Sequence, residues 1–261
     1  MCDPALCALP AGRRDLINVS AAYRRILLKL SGEALAGGKR YGFDPDTLHA
    51  ITANVIDALD MGIQVGIVIG GGNIFRGMDA GITSDRVSAD HMGMLATVIN
   101  ALALKGSIER QGRSSKVFSA VDMPKVAQTF VASAAIECLE KSQAVIFAGG
   151  TGCPFFTTDT TAALRALEIQ ADVLIKATKV NGVYDKDPVK YPDAVFYPEL
   201  DYDQVLSMNL GVMDATAISL CRDNDLIIRV INIKDPENLK GLLAGRSIGS
   251  IVKPRRECNG K

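Results

Sequence analysis

The sequence predicts an α/β protein with three layers, α/β/α, built around a mostly parallel central sheet. Short apolar runs typical of buried strands alternate along the chain with longer segments whose apolar residues recur at helical spacing. Two of the short runs also end directly in glycine and a third is followed by Ser31 and Gly32, a pattern common where a strand delivers the chain to a ligand-binding loop. Because loops of this kind collect at the carboxyl ends of parallel strands, we expect them to form one site rather than three unrelated turns.

Apolar periodicity and boundary residues place each strand and helix in turn. Strands are predicted at residues 25–30, 64–69, 116–121, 144–148, 173–177 and 226–231, and helices at residues 46–61, about 89–110, 131–141, 160–169 and 214–222. The first of these helices follows Asp44, Pro45 and Asp46, which are typical of a helix N-terminus, and it ends before Gly62.

No fixed-period repeat and no Pro/Ser-rich linker interrupts this alternation, so residues 23–252 are predicted to form a single domain. Its two lobes are expected to divide near residue 170. Residues 1–22, which contain Pro and Gly without periodicity, are predicted to be a flexible extension, and residues 253–261 a C-terminal tail.

Composition excludes several classes of protein. The chain has 29 Lys and Arg residues against 29 Asp and Glu residues, so its net charge of zero argues against binding nucleic acid through bulk electrostatics. No uninterrupted apolar stretch reaches the roughly 18 residues of a membrane span, and the first 22 residues lack the apolar core of a signal peptide. We therefore expect a cytoplasmic enzyme with no membrane partner.

The cysteines predict free thiols in a reducing compartment rather than a metal site. They form no Cys-x-x-Cys pair, and only His49 and His91 are available to complete a zinc site, so metal-ligand spacing is absent. The six cysteines are Cys2, Cys7, Cys138, Cys153, Cys221 and Cys258. No metal held by protein ligands alone is expected.

The glycine-terminated strands predict a phosphate site. Residues 63–77 read IQVGIVIGGGNIFRG, in which a buried strand ends in three glycines whose backbone N–H groups can approach phosphate oxygens, while Arg76 supplies charge. Taken alone, three glycines fit a tight turn equally well. A second strand carries Lys29 just before Ser31 and Gly32, and a third ends in the glycines of residues 149–152. A lysine inside a buried strand requires a reason, and a phosphate supplies one.

Five motifs follow one another along the chain: KLSGEAL at 29–35, GGGNIFRG at 70–77, DHMGMLAT at 90–97, GGTG with PFFTTD at 149–159, and KATKV with GVY and DP at 176–188. Together they closely resemble the bacterial uridylate (UMP) kinases of the amino acid kinase superfamily, over roughly residues 23–252. The lysine strand and the triple glycine are shared across that superfamily, whereas FRG, DHMGM and PFFTTD are particular to the UMP kinases.

The resemblance implies transfer of the γ-phosphoryl group of ATP to UMP, giving UDP and ADP in the biosynthesis of pyrimidine nucleotides (CTP and UTP), with Mg²⁺ carried by ATP. It implies catalytic roles for Lys29, Arg76, Asp159 and Asp214, since bringing two polyanions together mainly requires positive charge and oriented donors. A non-catalytic interpretation of each residue also stays open. Lys29 could be an edge-strand lysine that reaches solvent, Arg76 a solvated loop residue, and Asp159 only the cap of its helix.

The resemblance also implies two nucleotide sites. The ATP site would comprise Lys29, Leu30, Ser31, Gly32, Gly72, Arg76, Lys176, Thr178, Tyr184 and Asp187. The UMP site would comprise Gly71, Asp90, Thr151, Gly152, Cys153, Pro154, Phe155, Phe156, Thr157 and Thr158. Asp90 would accept hydrogen bonds from the ribose hydroxyls, although it could equally be an acidic residue favoured near a helix N-terminus. Residues 183–188 are predicted to form an exposed turn over ATP.

Two positions depart from the family pattern. Asn181 stands where the family more often has Asp, which removes a negative charge near ATP. Cys153 stands where the family commonly has Asn, which removes a side-chain amide near uracil.

Three alternatives remain open, of which an allosteric or DNA-linked regulatory subunit is disfavoured by the neutral net charge and the lack of an obvious DNA-binding motif. Superfamily members that phosphorylate carboxylates share the lysine strand and the triple glycine but lack the PFFTTD loop. A non-catalytic protein that binds a nucleotide or oxoanion would not need to keep Lys29, Asp159 and Asp214.

The resemblance implies a homohexamer built from dimers, with GTP activation and UTP inhibition. The long helix predicted at 89–110 would lie at an interface, and Met92, Leu95, Ile99 and Leu102 are predicted to form its apolar face. The sequence at the end of this helix is compatible with a subunit interface beside an anion pocket. It is equally compatible with a buried helix face whose end is solvated. The residues concerned are Leu102, Ala103, Leu104, Lys105, Arg110 and Arg113.

Overall fold

A nine-stranded sheet organises the computed structural model, which describes residues 22–75 and 85–255. The strands are β1 Arg25–Leu30, β2 Gln64–Ile69, β3 Ser115–Ser119, β4 Gln128–Thr129, β5 Ala144–Ala148, β6 Val173–Thr178, β7 Val183–Tyr184, β8 Phe196–Tyr197, β9 Glu199–Asp201, β10 Ile228–Asn232 and β11 Ser250–Lys253. Their order in the sheet is β4-β3-β5-β2-β1-β6-β10-β11-β9. All neighbours are parallel except β10 and β11, and β7 and β8 form a separate antiparallel pair.

Helices cover both faces of this sheet. They are α1 Gly32–Leu35, α2 Pro45–Asp60, α3 Arg86–Arg110, α4 Ala132–Glu140, α5 Thr158–Glu168, α6 Tyr202–Ser207, α7 Ala215–Asp223 and α8 Pro236–Leu243. Ile26, Leu28 and Leu30 of β1 belong to the core that includes α2, α3 and α8, whereas Leu27 belongs to the core that includes α4 to α7. Because successive strand residues point to opposite faces and helices cover both, every residue of β1 is buried, including Arg25 and Lys29. The predicted three-layer fold is confirmed.

The predicted strands and helices are all present, with shifted ends. The largest shift is in α3, which begins at Arg86 because the Asp85 carboxylate accepts hydrogen bonds from the backbone N–H groups of Val87 and Ser88. Short elements were not predicted: α1, α6, α8, β4, β7, β8, β9 and β11. One prediction was wrong in part: residues 183 and 184 pair with β8 rather than lying in an exposed turn, and Val183 is buried.

The apolar face predicted for α3 is not the face that packs on the sheet. Met92, Leu95, Ile99 and Leu102 are 36–51% exposed, while a different set of side chains on α3 is buried against α2, β3 and β5. The buried set includes Met94, Ala96, Val98, Ala101, Leu104 and Ile108. The four exposed side chains form what we call the α3 stripe.

Helix α3 has the length and apolar composition of a membrane span, and within the described ranges it alone has both. Core helices of soluble proteins meet the same description, and this one contributes a full face to the core. We therefore assign it to the core.

Candidate active site at the carboxyl ends of the strands

The loops that follow β1 and β2 meet because glycines leave room for them. A Cβ on Gly32 would lie 2.4 Å from the carbonyl oxygen of Gly70, and a Cβ on Gly71 would lie 2.9 Å from the Ala96 Cβ on α3. Real Cβ atoms do not approach that closely, so only glycine fits at either position. The two predicted phosphate loops therefore form one surface.

Two buried asparagines, which sequence analysis missed, hold this surface. The Asn100 amide donates to the Gly70 carbonyl and to the Asn73 side-chain oxygen, both at 2.6 Å, and the Asn73 amide donates to the Gly42 carbonyl at 2.9 Å. Asn100 lies within the most apolar part of α3, where an amide needs partners. An asparagine among apolar residues of a helix was therefore the sequence signal that could have identified Asn100.

Lys29, Asp159 and Lys176 form a buried charge cluster. The Lys29 Nζ lies 2.5 Å from Asp159 Oδ1, and the Lys176 Nζ lies 3.0 Å from Asp159 Oδ2. The three side chains are 11–16% exposed. Adjacent parallel strands bring the lysines together, since Lys29 on β1 is in register with Lys176 on β6. Asp159 reaches both from the first turn of α5.

Burial and charge oppose each other in this cluster. Burial would raise the pKa of Asp159, but the two ammonium groups outweigh it, so the pKa lies below its ordinary value of 3.8. Burial also lowers the pKa of Lys176, and Asp159 offsets only part of that effect. The cluster thus places two cations around one carboxylate, with an excess of positive charge suited to phosphate oxygens.

Asp214 lies close to this cluster, where it was predicted to lie, and its charge favours the ammonium form of Lys176. Among the described residues it forms no ion pair with a lysine; its carboxylate accepts hydrogen bonds from the hydroxyls of Thr157 and Thr160 and from the backbone N–H of Ala217. Thr157 in turn caps α5, its hydroxyl oxygen accepting from the backbone N–H of Asp159 at 3.0 Å. Asp214 therefore caps α7 and braces the start of α5.

A cavity of about 380 Å³ lies beside the cluster, and we call it the acceptor cavity. Eight of the residues predicted to bind UMP or ATP line it: Gly71, Gly72, Asp90, Thr151, Cys153, Phe156, Thr157 and Thr158. Phe75, Arg86, Ala89, Gly93, Met94, Thr97 and Gly150 also line it and were not predicted. Gly152, Pro154 and Phe155 belong to the same loop without lining the cavity.

Asp90 organises the mouth of the acceptor cavity. Its carboxylate accepts hydrogen bonds from the Phe155 backbone N–H at 2.7 Å and from the Arg86 Nε at 2.9 Å. The Arg86 guanidinium lies over the Phe155 ring, 5.7 Å from the centroid, and Phe155 has a φ of 70°. A left-handed backbone is unusual for phenylalanine, and the bond to Asp90 helps to hold it. Arg86 adds a cation that sequence analysis missed.

A second cavity of about 320 Å³, the donor cavity, contains three of the residues predicted to bind ATP. Thr178, Tyr184 and Asp187 line it together with Val212. Lys176 donates a hydrogen bond to the Val212 carbonyl, which links this cavity to the charge cluster. The cluster therefore lies between the two cavities.

The remaining predicted residues are placed as follows. Leu30 is a buried residue of β1, Ser31 precedes α1, and Asn181 accepts a hydrogen bond from the Asn232 amide at 3.0 Å. Arg76 lies outside the described residues. Within residues 22–75 and 85–255, no group of three or more His, Cys, Asp or Glu side chains could hold a metal ion.

The sequence and the fold both match known proteins. Residues 24–232 match the model of the amino acid kinase family. The uridylate kinase of Xanthomonas oryzae pv. oryzae is 54% identical over 237 residues, covering 90% of this chain and 98% of that protein. The crystal structure of UMP kinase from Bacillus anthracis has a TM-score of 0.86 at 37% identity and covers 90% of this chain and 97% of its own.

A second structure, UMP kinase from Ureaplasma parvum, has a TM-score of 0.82 at 36% identity and covers 88% of this chain and 98% of its own. Near-complete coverage in both directions leaves no large part of the fold unmatched. The chain therefore belongs to the amino acid kinase family, in its uridylate kinase branch.

Proposed function

We propose that the protein is an ATP:UMP phosphotransferase that produces UDP and ADP. The observation that carries this proposal is the Lys29–Asp159–Lys176 cluster, which lies between two separate cavities. Two nucleotides bound on either side would direct their phosphates at the same pair of ammonium groups.

The chemistry follows from these positions. UMP in the acceptor cavity presents a phosphate oxygen that is already anionic, so the reaction needs no general base. Charge on the transferred phosphoryl group spreads over its equatorial oxygens, where Lys29 and Lys176 would stabilise it. The backbone N–H groups of Gly71 and Gly72 would orient the phosphates from the glycine loop. Asp159 keeps both lysines in place.

Magnesium fits this arrangement only as a partner of ATP. Mg²⁺ usually binds through one or two carboxylates, water and substrate phosphates, and the described residues offer Asp159 and Asp214 near the cluster but no cage of acidic ligands. When bound to ATP, the ion would neutralise part of the phosphate charge.

A coupled assay of ADP release tests the proposal directly. UMP should be phosphorylated in preference to CMP, dUMP, glutamate, aspartate and acetylglutamate. Turnover of a carboxylate substrate in preference to UMP would identify a different branch of the family. Nucleotide binding without ADP release would indicate the non-catalytic alternative.

The acceptor site gives a sharper prediction. Asp90→Ala is expected to raise the KM for UMP by about one to two orders of magnitude, because a hydrogen bond to a charged acceptor is worth roughly 1.5–3 kcal/mol. The KM for ATP should change little. If Asp90 accepts from the ribose hydroxyls, the wild type should prefer UMP over dUMP, and the variant should lose most of that preference in steady-state kinetics.

A matched variant separates the ribose contact from the structural role of Asp90. Asp90→Asn retains an acceptor for the Phe155 N–H but removes the charge. It should keep the loop in place and give an intermediate KM. If the preference for UMP over dUMP survives in Asp90→Ala, Asp90 only holds Arg86 and Phe155, and the ribose contact lies elsewhere in the loop.

We further propose a hexameric assembly that responds to GTP and UTP, acting in the cytoplasm in pyrimidine nucleotide synthesis. The α3 stripe supports an interface, since four apolar side chains spaced three and four residues apart are exposed on one helix. Beside the end of α3 lies a cavity of about 570 Å³ lined by Lys105, Lys116 and Lys125, a setting suited to a polyanionic effector. The two-lobe organisation, with UMP before and ATP after residue 170, belongs to the same proposal.

Charge on the α3 stripe is expected to break the assembly. Leu95→Glu places a carboxylate at the centre of the proposed interface, so sedimentation velocity should show a hexamer for the wild type and a smaller species for the variant. Met208→Glu is the control, because Met208 is similarly exposed but lies on a different surface. A wild-type monomer at micromolar concentration would contradict both the interface and any effector site shared between subunits.

A further inference from the structure

A third cavity, of about 660 Å³, lies apart from the nucleotide cavities and shares no lining residue with either of them. One wall is a stripe of α2 formed by Thr47, Ala50, Ile51 and Asn54, whose spacing of three and four residues puts them on one helical face. The other walls come from α1 and the turn after it and from the ends of β6 and β10, with α8 beginning at the rim. We call this the α2 cavity.

The amide of Asn54 faces the α2 cavity without a partner. Asn54 is 7% exposed, and within the described parts of the chain its side chain forms no hydrogen bond. Its amide atoms are not among the fully enclosed polar atoms that lack a partner in the described residues, so they are accessible from the cavity and available to a ligand there. The amide offers one acceptor and two donors, which suits a ligand with both kinds of group at one edge.

The charges around the cavity favour an anion. Its lining contains Lys179, Lys234 and one carboxylate, Glu33, which lies 3.6 Å from Lys179. No carboxylate among the described residues pairs with Lys234. The nearby Asp235 accepts a hydrogen bond from the backbone N–H of Glu237. One cation at the rim therefore has no counter-charge within the described ranges.

We propose that the α2 cavity binds a small anion with a flat apolar body and a hydrogen-bonding edge, such as an aromatic or heteroaromatic carboxylate, sulfonate or phosphate. The body would lie on Ala50, Ile51 and Ile233, the polar edge would meet Asn54, and the anionic group would meet Lys234. Apolar walls with a few convergent polar groups are typical of small-molecule sites.

The position of the cavity also indicates an effect on catalysis, a step that rests on the proposed function. The Glu33–Lys179 ion pair on its wall joins the helix after the β1 loop to the residue after β6. Gly32 and Thr178, both assigned to ATP, are the adjacent residues. A ligand bound in this cavity, against that ion pair, should therefore change the KM for ATP and leave the KM for UMP unchanged.

The binding test uses 8-anilinonaphthalene-1-sulfonate as a fluorescent probe of this chemistry, on the full chain with saturating ADP and UDP to occupy the nucleotide cavities. Ala50→Phe fills the α2 cavity and should weaken binding at least tenfold, or about 1.4 kcal/mol. Lys234→Gln should weaken it about twofold to fivefold, as expected for an exposed ion pair. Lys240→Gln removes a charge on α8 outside the cavity and should have no effect. Equal affinity in all four proteins would overturn the proposal, as would absence of binding to the wild type.

Stability measurements keep the test informative if Ala50→Phe does not fold. Asn54→Leu removes an amide that bonds no other group in the described parts of the chain, so its melting temperature should equal or exceed that of the wild type. A marked fall in melting temperature would show that Asn54 supports the fold, and the argument for a ligand would fail.

In the wild type, the probe should change the KM for ATP at least twofold. Binding without that change would refute the link to catalysis, whereas an inactive enzyme that still binds the probe would refute only the proposed function.

Discussion

Replacing Lys29 by alanine is expected to lower kcat by on the order of 10²–10³ or more while the fold stays intact. Lys29 supplies one of the two cations at the developing charge, and an oriented cation in a dry site has no substitute. The fold should persist because Asp159 keeps its ion pair with Lys176. Steady-state kinetics at saturating ATP and UMP measure the loss, and circular dichroism checks the fold.

Two further variants sharpen the interpretation. Lys29→Met keeps the length and apolar body of the side chain without its charge, so it should lose as much activity as Lys29→Ala. Lys29→Arg should recover only part of the rate, since a planar guanidinium cannot occupy the place of a compact ammonium. A kcat near the wild-type value in Lys29→Ala would remove this lysine from the catalytic group.

Replacing Asp159 by asparagine is expected to cause the second large effect, on stability as well as on rate. The substitution leaves Lys29 and Lys176 buried without their shared carboxylate, and breaking a buried ion pair from one side costs about 3–5 kcal/mol. Urea unfolding at pH 7 should show a loss of that order. The rate should also fall, because mutual repulsion would move the two ammonium groups apart.

The pH dependence of this loss has a definite sign. The pKa of Asp159 is lowered in the folded protein, so its stabilisation is complete above the unfolded value of 3.8 and is lost as the pH falls through the lower folded value. The difference in unfolding free energy between wild type and Asp159→Asn should thus be constant near neutral pH and shrink below about pH 4. A difference that grew as the pH fell would mean that Asp159 is not held as a carboxylate by the lysines.

Local patterns in the sequence were sufficient for the strands and for the glycine loops. Apolar runs that are buried on both faces look the same in any parallel sheet, and glycine is required wherever two backbones touch, as Gly32 and Gly70 do. The motifs that carry Lys29 and Asp159 were likewise visible, because their spacing within strand and loop is local.

Side-chain partners far apart in sequence were not predictable in the same way. Asp214 was expected near the lysines and lies there, but its hydrogen bonds to Thr157 and Thr160 were not predicted, because they exist only once its helix cap orients the carboxylate toward α5. Asn73 and Asn100 lie in a loop and a helix whose contact exists only once α3 packs on the sheet. Neither set of contacts produces a periodic pattern in the sequence from which it could be predicted.

Helix α3 shows most clearly what the sequence determines and what only the tertiary structure decides. Its sequence determined that a long apolar helix would follow the triple glycine, since apolar side chains recur around it from Met92 to Leu104, with Thr97 and Asn100 as the polar residues among them. Which of those side chains would be buried was decided by packing: Met94, Val98 and Ala101 meet the core, while Leu95 and Ile99 stay exposed. A helix that is apolar on two faces has no preferred inner face of its own, so only its neighbours in the tertiary structure select one.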